Sequence, residues 1–150
     1  MTRFEEEIGE FRLLITASRN WTDQLRIWTQ LSWWLGEYGA ALKIIHGACK
    51  TGGDKIASQW CVDHDVDEER YPAKWKRHGR PAAGPMRNKI MVNRGADACL
   101  AFPLYGSKGT LGCAALALDA FIPVINCGPV EIPGVDGVNQ NSWEEWSREL

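Results

Sequence analysis

The sequence predicts an α/β domain with one doubly wound, mainly parallel sheet of about five strands and helices on both faces. Two observations carry that expectation. Short, almost wholly apolar runs recur along the chain, as strands buried on both faces require. Helix-sized segments separate them, which is the connection that parallel neighbours need.

The elements follow in order. Residues 1–10 are a polar, acidic leader, and the first strand falls at 11–15, where Phe11, Leu13, Leu14 and Ile15 flank one arginine. After the turn 16–20, Asp23 suits a helix start because its carboxylate faces the positive end of the helix dipole. Leu25, Trp28, Leu31, Leu35 and Tyr38 lie at helical spacing, predicting an amphipathic helix that ends at 36–39. The unit then repeats, with a strand at 41–45, a glycine-rich turn at 46–53 and a helix at 54–63 that has Ile56, Ala57 and Trp60 on one face. A weaker third strand is expected at 67–71. A basic block follows, and Gly84-Pro85 leads into a helix at 86–94 with proline at the favoured first position. The fourth strand is 98–102, followed by a turn at 103–110, a helix of small residues at 111–120 and a fifth strand at 122–126. The domain therefore spans 11–128. The extension 129–150 is loop-like in composition and closes on a short amphipathic helix bearing Trp143, Trp146 and Leu150.

A chain of 150 residues is long enough for one substantial core. Its net charge of −2 argues against a general polyanion binder, but the charge is segregated. Asp63, Asp65, Asp67, Glu68 and Glu69 come first; then Lys74, Lys76, Arg77, Arg80, Arg87, Lys89 and Arg94 run without an acidic residue between them. The local field is the informative quantity, and it suits an anion. The 5 cysteines are widely spaced with no CxxC pair, so they are expected reduced and mostly buried in a cytoplasmic protein. No apolar run reaches the roughly 18 residues of a membrane span, and the acidic start is unlike a signal peptide. His46 and Cys49 are too sparse for a zinc site, so no metal is expected.

Several turns carry candidate ligand-binding chemistry. Thr16, Ser18 and Arg19 offer hydroxyls and a guanidinium at the end of the first strand; the alternative is that Ser18 or Asn20 organises the turn while Arg19 is solvated. His46-Gly47 follows the second strand, where the histidine could meet a ligand or simply satisfy the turn. Asp54 could cap its helix or accept a ribose hydroxyl. Lys74, Trp75, Lys76, Arg77, His78 and Arg80 combine charge with an aromatic plane able to hold a phosphate and stack a base. Arg87 and Asn88 would stand in the first turn of their helix, where a cation opposes the dipole and calls for an anionic partner. Gly106, Ser107, Gly109 and Thr110 have the composition of a phosphate cradle, although the spacing is not that of a P-loop and no GxGxxG is present.

The ordered set of the run 15–19, His46-Gly47 with 51–54, the block 73–79 with 84–88, and 101–103 with Gly109-Thr110 resembles the YspA-like branch of the SLOG superfamily. The resemblance implies a Rossmann-like fold, a nucleotide or nucleotide-derived ligand held by the residues above with Phe102 and Pro103 beside them, no required cofactor, and a homodimer or an assembly built from dimers. It also allows a phage origin and hence a host cytoplasm. In the superfamily's phosphoribohydrolases a catalytic glutamate follows the glycine-threonine turn, and here that place is assigned to Gly112, which supplies neither acid nor base. Binding as a sensor or as a sponge for an immune signal is therefore the leading expectation. One alternative is a phosphoribohydrolase-like enzyme acting on nucleoside monophosphates through His46, Asp54 or His78. The other is single-stranded nucleic-acid binding along the basic block.

Overall fold

A computed structural model of the chain describes residues 9–135. Five strands form one sheet: β1 (Phe11–Ala17), β2 (Leu42–His46), β3 (Asp67–Arg70), β4 (Ala98–Phe102) and β5 (Val124–Asn126). They are hydrogen-bonded in the order β3-β2-β1-β4-β5, and every pairing is parallel. The helices are α1 (Gln24–Tyr38), α2 (Gly52–His64), α3 (Trp75–His78), α4 (Arg80–Arg94) and α5 (Lys108–Asp119).

The alternation of side chains along each strand divides the core in two. Leu13, Ile15, Ile44, Leu100 and Phe102 face α1 and α2, where they pack with Ile27, Leu31, Ala57 and Trp60. Leu14, Ile45 and Cys99 face the other side and pack with Met91, Val92, Cys113 and Ala117 of α4 and α5. The sheet is thus covered on both faces, which is why its central strands are apolar throughout. β3 differs because it is an edge. Its charged sequence finds partners across the sheet: Glu68 lies 2.7 Å from the His46 ring, and Glu69 lies 2.6 Å from the Arg12 guanidinium.

Most boundaries move by one or two residues, and three changes are larger or bear on the argument. The basic block, expected as a loop before a helix at 86, is itself helical: α3 occupies Trp75–His78, and α4 begins at Arg80, broken from α3 only at Gly79, whose φ is 76°. Pro81 takes the early position in α4, and Pro85 stands inside the helix, where it has no N–H to give Pro81's carbonyl. Arg87 is consequently two turns into α4, so the dipole argument for its needing an anion does not apply. α5 begins at Lys108 and not at 111. β5 is shorter than expected because the Ile122 N–H bonds the Ala117 carbonyl, closing the end of α5 before the strand can start. On α1, Leu25 is 75% exposed, while Ile27, Gln30, Leu31 and Trp34 are buried, so the inward stripe is rotated from the expected one. The amphipathic helix expected at 142–150 and the leader 1–8 lie outside the described residues. No helix among the described residues is long and apolar enough to cross a membrane.

Candidate functional site

From β1 the chain adds strands outward through β2 to β3, then crosses back to the far side of β1 to lay down β4 and β5. The loops leaving β1 and β4 therefore part in opposite directions and open a crevice at the carboxyl edge of the sheet, the usual ligand position in such folds. A cleft of about 530 Å³ occupies that place. Its floor is Ile15 to Ser18; its walls are the β1–α1 turn, the β2–α2 turn, the first half of α4 and the start of α5. Four cationic side chains, Arg19, Arg80, Arg87 and Lys108, line it against a single carboxylate, Asp54.

Arg87 is the best-positioned cation. Its Nη1 donates to the carbonyl oxygens of Gly47 and Tyr71, and its Nε donates to Asn88 Oδ1 at 2.8 Å. Asn88, 6% exposed, gives its amide N–H to the Gly109 carbonyl at 3.3 Å and so ties α4 to the start of α5. Every one of these partners is neutral, so the arginine is held in place with no ion-pair partner among the described residues. A Cβ at Gly47 would displace the guanidinium from this position.

The β1–α1 turn is organised from within. Ser18 gives its N–H to the Phe102 carbonyl at 3.0 Å, its carbonyl accepts from Trp21 and Gly53, and its hydroxyl accepts from the Asn20 N–H at 3.1 Å. Gly52 has φ 74°, and a Cβ on it would strike the Ser18 carbonyl. The turn is thereby locked to the start of α2. It aims Arg19 into the cleft, with the guanidinium 5.0 Å from the centre of the Trp75 ring. Across the cleft, the Ser107 hydroxyl accepts from the Leu104 N–H and makes no capping bond to α5, so the first turn of that helix faces the cleft without a side-chain cap.

The structure brings together Thr16, Ser18, Arg19, Gly47, Asp54, Trp75, Arg87, Asn88, Gly106, Ser107, Gly109 and Thr110 around this one cleft. It leaves the remaining candidates outside the lining. Phe102 is fully buried and packs edge-on to Trp21, 5.3 Å between centroids, in the core under α1; Pro103 leaves the sheet beside it. Lys74 is exposed, and His78 ends α3 away from the cleft. His46 is fully buried, with Nδ1 accepting from the Ala48 N–H at 3.0 Å and Nε2 against Glu68, so both ring nitrogens are engaged. That tautomer leaves it no lone pair for proton transfer to a ligand. Arg80, named with the basic block, also lines the cleft, and Tyr105, Lys108 and Cys49 line it without having been singled out as ligand contacts. Their signal was membership of turns already recognised, since Tyr105 and Lys108 belong to the turn after β4 and Arg80 to the basic block.

Gly112 is exposed on α5 and outside the cleft, whereas Cys113, one turn on from Thr110, is fully buried and packs against the sheet. Burial pushes the Cys113 thiol up to about 11, so it too is no acid or base at neutral pH. Asp54, 5% exposed, accepts from the Cys49 N–H at 3.2 Å and remains the one carboxylate in reach. The half-buried Cys49 thiol is raised by desolvation and by Asp54, with Arg87 and Arg19 opposing. Among the described residues, no group of three or more His, Cys, Asp and Glu side chains is placed to hold a metal ion.

A parallel five-stranded sheet with its cleft at the reversal of strand order places the chain among the Rossmann-like α/β proteins. The profile of the YspA, cpYpsA-related SLOG family matches residues 11–78, from β1 to the end of α3. The Gene 61 protein of Mycobacterium phage D29 is 43% identical over 122 residues, covering 78% of this chain and 96% of that protein. The chain belongs to the YspA, cpYpsA-related SLOG family.

Proposed function

We propose that the cleft binds a nucleotide or nucleotide-derived molecule through its phosphate and holds it without turnover, as a sensor or as a sponge that sequesters a signal. The observation that carries this reading is Arg87, held by neutral groups and without an ion-pair partner among the described residues, in a cleft where four cations face one carboxylate. The uncapped first turn of α5 adds backbone N–H groups and the positive end of a helix dipole on the opposite wall. Trp75, 40% exposed, supplies a plane against which a base can stack. The similarity to a phage protein favours the sequestering variant, acting in a host cytoplasm.

Retention without hydrolysis is favoured by the chemistry that is missing. Neither Gly112 nor Cys113 can do a carboxylate's work, His46 is spent on Glu68 and Ala48, and Asp54, the one carboxylate in the cleft lining, is engaged by the Cys49 N–H. The placement of the cations favours a small molecule over a polynucleotide, because Lys74, Lys76 and Arg77 stand outside the cleft. The test is titration calorimetry with a panel of nucleoside mono-, di- and triphosphates on the wild type and on Arg87→Gln. One or more nucleotides should bind the wild type. Arg87→Gln should weaken that binding roughly 10- to 100-fold, the effect of removing a charged hydrogen bond. Equal affinity for wild type and variant would remove Arg87 from the site and the reading with it.

A further inference from the structure

A second hollow of about 240 Å³ lies behind the cleft, between α2 and the edge of the sheet at the ends of β2 and β3. Cys49 and Asp54 line both spaces, so the two meet at the β2–α2 turn. The second hollow has its own charge. Lys50, Lys55 and Arg70 line it, and none of the three has an ion-pair partner among the described residues. Arg70 is delivered there by register, since it pairs with His46 at the carboxyl end of β2. Glu68 does not line the hollow and is held by His46 at 2.7 Å and by the Ser58 hydroxyl at 3.2 Å. Asp54 sits at the junction and is half occupied by the Cys49 N–H.

Two hollows that share the β2–α2 turn, each lined by more cations than carboxylates, are more than one phosphate requires. We infer that the ligand is a nucleotide carrying two separated phosphoryl groups, one held in the cleft by Arg87 and the other in the second hollow by Lys55 and Arg70. This rests on the phosphate-binding reading of the cleft and adds the ligand class. Asp54 at the junction would then meet the uncharged middle of the ligand, where a carboxylate accepts a sugar hydroxyl and does not oppose a phosphate. The same arrangement disfavours a ligand with all its phosphates in one chain, which would bring negative charge onto Asp54.

The test compares three probes by titration calorimetry at physiological ionic strength: adenosine 5′-monophosphate, adenosine 3′,5′-bisphosphate, and the linear dinucleotide pApA. The wild type should bind at least one of the two-phosphate probes tenfold or more tightly than the monophosphate. In Lys55→Gln/Arg70→Gln that ratio should fall to near one. If this double variant does not fold, as judged by its melting curve, Lys50→Gln reads the same ratio. A wild-type ratio near one for both probes would overturn the inference while leaving the cleft reading intact. So would a variant that weakens all three probes by the same factor, which would mark a general field effect. No binding of any probe that carries a 5′-phosphate would count against the cleft and the second hollow together.

Discussion

At the scale of single residues, the useful distinction is between polar groups that are spent and those that are left over. Arg87 is held by three neutral partners, whereas the His46 ring has no free nitrogen. Phe102 illustrates the same point for an apolar group. Its position at the end of β4 made it a candidate for facing a ligand, but strand alternation turns it toward α1. Phe102→Ala should therefore cost about 3 to 5 kcal/mol of stability in chemical denaturation. Phe102→Leu, which keeps most of the volume, should leave nucleotide affinity within about twofold by calorimetry, as a core group outside the lining requires. The cysteines offer an independent check on the burial pattern. Cys99, Cys113 and Cys127 are buried with thiols pushed up by desolvation, Cys61 is pushed up to about 12, and only Cys49 is partly open. Native protein treated with an alkylating reagent near neutral pH should show modification at Cys49 alone by peptide mass spectrometry, and a bound ligand should slow it. Rapid labelling of the other four in the folded protein would contradict the packing described for β4 and α5.

At the scale of elements, the strands were legible because burial on both faces leaves a near-continuous apolar run. Helix starts were not. Pro85 matches the rule for proline at a first helical position, yet Pro81 satisfies the same rule four residues earlier, and the chain uses the earlier one. The sequence signal was real and doubly present, and only tertiary packing of α4 on α5 selects between them. β3 was the weakest strand to read because its stabilisation is electrostatic and comes from other strands. Arg12 on β1 reaches across β2 to Glu69, which also accepts from the Tyr71 hydroxyl at 2.8 Å. The hydrogen bond from Arg12 holds the Glu69 carboxyl below its ordinary value. A carboxyl depressed on folding contributes stability that is fully present above its unfolded pKa, near 4.3, and is lost as pH falls through the folded value. Glu69→Gln should thus lower stability by about 1 to 2 kcal/mol at neutral pH. Denaturation followed across pH should show the gap between wild type and variant closing below about pH 4. A gap constant down to pH 2 would assign the effect to packing and not to the ion pair.

At the scale of the whole molecule, the site follows from topology before it follows from any motif. Turns 16–20, 46–53 and 103–110 are far apart in the sequence, and none has a diagnostic pattern alone. A parallel sheet delivers all three to one edge, and the return of the chain across β1 opens the space between them. That much could be anticipated from apolar runs and spacing. Which side chains enter the space could not, because entry depends on where each helix begins. The start of α4 at Arg80 brings Arg80 and Arg87 to the cleft and leaves Lys74 and His78 outside, and the start of α5 at Lys108 adds a cation that the turn alone did not single out. The second hollow was illegible for a related reason, since Lys50, Lys55 and Arg70 come from a turn, a helix and an edge strand that only the register of β2 with β3 brings together.

The central claim is that this cleft captures a phosphate-bearing nucleotide and keeps it unchanged. The most direct measurement is mass spectrometry of what heat precipitation releases from protein purified out of cells, beside an identically treated Arg87→Gln preparation. The account predicts an intact nucleotide-like mass in near-stoichiometric amount from the wild type and strongly reduced in the variant. Free base together with a sugar phosphate, or the same nucleotide in equal amount from both preparations, would contradict it.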